Sequence, residues 1–154
     1  MLRWLKIFSK ETILSKINEV AENRGKKVLA TILFGSYVYS PRKAKDIDMI
    51  VIVDNLKNIN DKITLEVEIS RKLRKLFRKN IDIQVFDIES FEENLIVGTF
   101  LTGLVLGYKI IHDTIGVEKK IQEFIKEISK EDKYVFIKKR KWNLAAIAKA
   151  KSRT

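Results

Sequence analysis

The sequence predicts one domain of the α/β or α+β class, and three observations carry that prediction. Its 154 residues are about one domain's worth of chain. Segments with apolar residues at helical spacing alternate with short β-branched runs, with no internal repeat or low-complexity linker between them. Hydrophobic residues make up 45% of the chain against one Pro and six Gly, which is enough to bury an interior and excludes a collagenous or disordered chain.

Each element has its own signal. Over 10–23, Ile13, Leu14, Ile17 and Val20 or Ala21 recur at helical spacing, and Asn23-Arg24-Gly25 stops the run. Residues 28–34 are apolar and β-branched and end at Gly35-Ser36, a buried strand meeting a tight turn. A basic connection containing Pro41 leads to a second strand over 47–53, whose continuous apolar character predicts burial on both faces. Asn60 or Asp61 is placed to cap a helix running to about Lys79. Its inward positions are Ile63, Val67, Leu73 and Leu76 or Phe77, with Arg71, Lys72, Arg74, Lys75, Arg78 and Lys79 outward. A third strand follows at 81–86. Ser90-Phe91-Glu92-Glu93 reads as a capping box for an apolar helix over 91–106, and Gly107 releases the chain into a short strand at 108–111. From Val117 the pattern is helical, and the cap-like Ser129-Lys130-Glu131-Asp132 divides it into helices of about 117–129 and 132–150.

Composition removes several chemistries. With no Cys there is no disulfide scaffold or thiolate nucleophile, and one His cannot build a histidine-rich metal site. The amino terminus lacks the pattern of a secretory signal, and the longest uncharged stretch, 94–108, is shorter than a membrane helix, so a cytoplasmic protein without membrane contact is expected. The net charge of +11 implies attraction to polyanions, and residues 138–154 supply seven of the basic residues with no acid.

The remaining chemistry lies in Gly35-Ser36, nine further residues, then Asp46-Ile47-Asp48 at the head of an apolar strand, with Asp82 inside the next strand. Asp46 and Asp48, two residues apart on a strand, face the same way, and Asp82 joins them if its strand lies alongside. Clustered carboxylates repel unless cations sit between them. Hard oxygen ligands suit Mg²⁺ or Mn²⁺, and two such ions clamp the attacking and leaving oxygens of a phosphoryl or nucleotidyl transfer. Gly35 permits close backbone approach and the Ser36 hydroxyl can hold a phosphate at the turn. Arg42, Lys43 and Lys45 can neutralise phosphate charge. An Asp among Ile81, Ile83 and Val85 is costly without a partner, which favours a metal ligand over a lysine-paired acid at a sheet edge.

On these residues, over about 10–112, the chain resembles the nucleotidyltransferase superfamily typified by DNA polymerase β, and within it the stand-alone minimal nucleotidyltransferases. The resemblance implies a nucleotidyltransferase fold: a mixed β-sheet flanked by helices, here with a basic helical extension over about 117–154, all within a single domain 1–154. It also implies that Gly35 and Ser36 bind the β- and γ-phosphates of an NTP, most simply ATP. Asp46 and Asp48 then hold the metals, and Asp82 is the third ligand and helps deprotonate an acceptor hydroxyl. Pyrophosphate leaves as a nucleoside monophosphate is transferred. In the minimal group the connection to the acidic pair often carries another glycine and one more residue, so Tyr37 to Lys45 is shorter and bulkier here.

The resemblance also points to a partner, since minimal nucleotidyltransferases commonly act as antitoxins that place AMP on a tyrosine of a HEPN RNase toxin. RNA is the second acceptor class, favoured by the basic tail. Small-molecule acceptors go with an additional helical domain for which 154 residues leave little room, and a vestigial site would leave a non-catalytic binding module. His112, before Asp113, reads as a turn residue without a role. The basic residues of 71–79 read as a solvated face, with nucleic-acid contact as the sharper alternative. Phe136 and Trp142 read as docking a terminal helix rather than stacking on bases. Glu66, Glu68, Asp87 and Glu89 read as ordinary surface acids.

Overall fold

In a computed structural model, residues 9–96, 100–130, 134–137, 140–143 and 147–148 are described. The chain runs α1 (Lys10–Asn23), β1 (Val28–Phe34), α2 (Ser36–Tyr39), β2 (Asp46–Val53), α3 (Ile59–Phe77), β3 (Asn80–Phe86) and α4 (Ile88–Asn94). A 3₁₀ segment (Phe100–Val105), β4 (Tyr108–Asp113), α5 (Val117–Ser129), β5 (Tyr134–Ile137) and β6 (Arg140–Asn143) complete it.

Four strands form one mixed sheet in the order β3-β2-β1-β4. β1 runs antiparallel to both β2 and β4, while β2 and β3 are parallel and are joined by α3, the long crossover that a parallel pair requires. Both faces are covered. On one, α1 (Ile13, Ile17, Val20) and α3 (Leu65, Ile69, Leu73, Phe77) pack against Leu33, Ile47, Met49, Val51, Ile81, Ile83 and Val85. On the other, Phe91, Leu104 and α5 (Ile121, Phe124, Ile125, Ile128) pack against Ala30, Ile32, Phe34, Ile50 and Ile52. β2 is thus sandwiched, as its unbroken apolar run predicts.

Several expectations need correction. The inward stripe of α3 is Leu65-Ile69-Leu73-Phe77, one i,i+4 ridge, whereas Ile63 and Val67 are half-exposed, because two adjacent apolar ridges are present and only one can face the sheet. Its N-cap is Asn58, whose side chain accepts from Asp61 N–H at 3.0 Å, rather than Asn60 or Asp61. The helix expected over 91–106 is a shorter α4 capped by Asp87, which accepts from Ser90 N–H at 2.7 Å, followed by the 3₁₀ segment. The helix closes at Asn94, where the C-cap Leu95 donates its N–H to Glu92 O at 3.2 Å. In place of a helix over 132–150, β5 and β6 pair antiparallel with Tyr134 opposite Asn143 and Ile137 opposite Arg140, as suits β-branched and aromatic residues. The positions Lys138, Lys139, Lys149, Lys151 and Arg153 lie outside the described residues.

Acids taken as ordinary surface residues are tied into the fold. Glu68 pairs with Arg24, and Glu66 accepts from both Lys62 Nζ and the Val85 N–H. The last contact belongs to a row. Lys62 donates to Val85 O at 2.6 Å and Ser70 Oγ to Ile81 O at 2.8 Å, so successive turns of α3 close the outer edge of β3. His112 lies within β4 opposite Thr31, half-buried, rather than in a turn.

Two predictions arise here. Thr31 Oγ1 is fully buried and lacks a hydrogen-bond partner among the described residues. Thr31→Val keeps the shape and removes the unsatisfied hydroxyl, and is expected to stabilise by about 1 kcal/mol, a rise in Tm of about 3 °C by thermal melting. Asp113 accepts backbone N–H groups of Ile115, Val117 and Glu118 at 3.1, 2.9 and 3.1 Å. Partial burial raises its carboxyl pKa, but these backbone donors outweigh it and hold the group below its ordinary range. A depressed folded value stabilises above the unfolded pKa and is lost as pH falls through the folded one. Asp113→Asn is therefore expected to flatten the acid limb of the stability–pH curve.

Candidate active site

β1 ends at Phe34 and turns at Gly35, where the backbone adopts φ 80° and ψ −153°, a region essentially reserved for glycine. The reason is on the adjacent strand, since a Cβ at Gly35 would lie 2.8 Å from Asp48 Oδ2. The turn is held from the far side by Gly35 N–H donating to Gly107 O at 3.0 Å, at the approach to β4. Ser36, which is buried, opens the short α2 directly after this turn. The Gly-Ser pair is thus pressed against the second acid of the Asp-x-Asp pair.

The acids themselves are placed by register. Asp48 lies opposite Phe34 on β1 and opposite Asp82 on β3, and Asp46 lies opposite Asn80. Neighbours in register share a face, and residues two apart on a strand do too, so Asp46, Asp48 and Asp82 all project to the side of Phe34, Ile50 and Ile52. Adjacent strands are about 4.8 Å apart and alternate residues of one strand about 6.6 Å apart, which fixes the spacing of the three backbones. Asp46 and Asp48 are half-buried and Asp82 is exposed on the edge strand.

The basic candidates are distributed differently. Arg42 and Lys43 are exposed on the turn before β2. Lys45 lines a depression with Arg74, Arg78, Lys79 and Asn80, on the α3 side of the sheet. Lys79, expected to be solvated, is half-buried and donates to Ala44 O at 2.8 Å and Pro41 O at 3.3 Å, with its ammonium 5.6 Å from the Tyr37 ring centroid. It fastens the connection that leads into Asp46. Tyr37 packs edge-on against Phe77 at 6.1 Å, and burial raises its phenol pKa. The Lys79 and Tyr37 contacts have no signature in sequence beyond residue type, since they join segments some forty residues apart.

As a metal centre the site is open. Among the described residues, no three His, Cys, Asp or Glu side chains gather into a group that could by itself hold a metal ion. The donor set still fits Mg²⁺, which takes one or two carboxylates and completes its shell with water and substrate phosphates. The missing Cβ at Gly35 lets the Asp48 carboxylate lie against the turn where phosphates would rest.

A mixed sheet of this order with a Gly-Ser turn pressed on an Asp-x-Asp strand defines a nucleotidyltransferase, and comparison with known proteins agrees. Residues 15–108 match the family model described as Polymerase beta, Nucleotidyltransferase, and the chain belongs to that family. A protein of Methanocaldococcus jannaschii named as a protein adenylyltransferase is 33% identical over 125 residues, covering 79% of this chain and 84% of the relative. A mutant of the MntA–HpeT toxin–antitoxin shares the fold with a TM-score of 0.51 at 17% identity, over 78% of this chain and 86% of its own. A tri-AMPylated HEPN toxin of Shewanella oneidensis in complex with MNT antitoxin matches at 20% identity and a TM-score of 0.44, over 77% of this chain and 85% of that one. Among the described residues, no helix is long and apolar enough to cross a membrane.

Proposed function

We propose that the chain transfers AMP from ATP to a hydroxyl of a partner protein, as the antitoxin of a pair whose toxin is of the HEPN type. The observation that carries the nucleotidyl-transfer half is the placement of Asp46, Asp48 and Asp82 on one face beside the Gly35-Ser36 turn. The relative named as a protein adenylyltransferase, at 33% identity over most of both chains, supports a protein acceptor and the adenine nucleotide.

In this reading the β- and γ-phosphates rest on the turn, taking hydrogen bonds from Ser36 and the backbone N–H groups beside it. Arg42, exposed on the turn before β2, offsets phosphate charge from the rim, whereas Lys45 lies on the α3 side of the sheet. Asp46 and Asp48 would hold Mg²⁺ or Mn²⁺ with Asp82 as the outer ligand, and the metal would supply charge stabilisation at the phosphates. Asp82, on the edge strand and exposed, meets the incoming hydroxyl and accepts its proton. The acceptor oxygen bonds to the α-phosphorus, the bond from that phosphorus to the bridging oxygen of the β-phosphate breaks, and pyrophosphate leaves with the electron pair.

The test is transfer of label from α-labelled ATP, with Mg²⁺, into the protein and RNA fractions of a host lysate, with Asp46→Ala/Asp48→Ala as control. Acid-dependent label in a protein of HEPN size supports the proposal. Label in RNA transfers the acceptor to that class, and no label above the control leaves a non-catalytic binding module.

A further inference from the structure

The solvent side of α3 carries one ridge made of two unlike halves. Ile59, Ile63 and Val67, at i, i+4 and i+8, are 61, 50 and 49% exposed. The ridge then continues through Arg71, Arg74 and Arg78, all exposed, and the ion pairs of the described residues involve none of the three. Its middle borders one of the three acids, because Val67, Arg71 and Arg74 line a groove along the edge of β3 together with Asp82.

We infer that this ridge is the docking surface for the acceptor protein, which engages it through a segment bearing apolar residues followed by acidic ones, so that its hydroxyl is delivered at Asp82. The inference rests on the protein-acceptor reading above. A row of three exposed aliphatics on a helix whose opposite ridge is already buried in the core is a cost in water that a protein partner removes. The three arginines that follow it call for carboxylates, which steer encounter and fix the register of the two halves. A phosphodiester chain matches the arginines but gains nothing from the aliphatics, where stacking aromatics would serve it. A second copy, paired antiparallel over the apolar half, leaves both arginine halves without counter-charge.

The full chain is compared with Ile63→Glu/Val67→Glu and with Arg71→Glu/Arg74→Glu. Three readouts are used: the rise in Tm on adding ATP and Mg²⁺, label transfer to the acceptor in lysate, and binding of a synthetic amphipathic peptide with leucines in one half and glutamates in the other. The expected result is an unchanged ATP effect, at least about a tenfold rise in KM for the acceptor with kcat nearly constant, and a similar loss of peptide affinity in each variant. Wild-type transfer rates and peptide affinities in both variants overturn the inference. So does oligouridine binding that matches the peptide's and falls only with the arginine variant, or a wild-type dimer in sedimentation that the Ile63/Val67 variant dissociates. Should the wild type label no protein, the protein-acceptor reading fails on its own and peptide binding decides the docking surface. If the glutamate pair disturbs the ATP effect, Ile63→Ser/Val67→Ser replaces it.

Discussion

Asp48→Asn is expected to lower AMP transfer about 10³-fold while leaving the fold intact. Asp48 is the one acid in contact register with both the Gly-Ser strand and the Asp82 strand, and the Gly35 backbone is moulded around its carboxylate. The amide is isosteric, so the place beside Gly35 stays filled, but the negative charge that would hold a divalent cation is gone. Loss of metal-borne charge stabilisation is worth several kcal/mol, and each 1.36 kcal/mol is tenfold in rate. The check is paired: label transfer from α-labelled ATP, and thermal melting without nucleotide. Transfer above a tenth of the wild-type rate from a well-folded variant would remove Asp48 from the machinery.

Gly35→Ala is expected to cost both activity and stability. The conformation at Gly35 is one that side-chain-bearing residues adopt at a cost of about 1–3 kcal/mol. The added methyl would also have to displace Asp48 Oδ2, 2.8 Å away, which moves the carboxylate from its place against the turn. A displacement of about 1 Å in a reacting constellation costs about 10²-fold, so transfer should fall by that order, with ATP affinity reduced as well. Double substitution separates the two causes. In an Asp48→Asn background the same change should retain its stability cost but have almost no further effect on transfer.

The sheet strands and the acids were readable because their signals are local. Val28–Phe34 and Lys10–Asn23 follow from periodicity and stop signals within one element, and Asp46-x-Asp48 needs only strand alternation to face one way. What escaped was decided between elements. α3 carries two apolar ridges of similar strength, and nothing within the helix says that Leu65-Ile69-Leu73-Phe77 meets the sheet while Ile59-Ile63-Val67 does not. The connection into Asp46 looks like a solvated basic loop until Lys79, from the far end of α3, is seen to hold its carbonyls. Beyond Ser129 the cap-like Ser129-Lys130-Glu131-Asp132 points to a helix, but Tyr134–Ile137 and Arg140–Asn143 satisfy each other's backbones across two residues, a pairing that no signal within either segment announces.

The parallel pairing of β2 with β3 has a consequence in time as well as in space. Asp48 and Asp82 are 34 positions apart, and the chain between them includes α3, whose Leu65-Ile69-Leu73-Phe77 ridge packs on the sheet. Loop-closure entropy must be met before the non-local pairing returns any stabilisation, so this contact forms late. The antiparallel β1–β2 hairpin needs no such crossover. A chain emerging during synthesis therefore presents Gly35, Ser36, Asp46 and Asp48 as a half-assembled cradle, and gains the acid that meets the acceptor only when the whole crossover has closed.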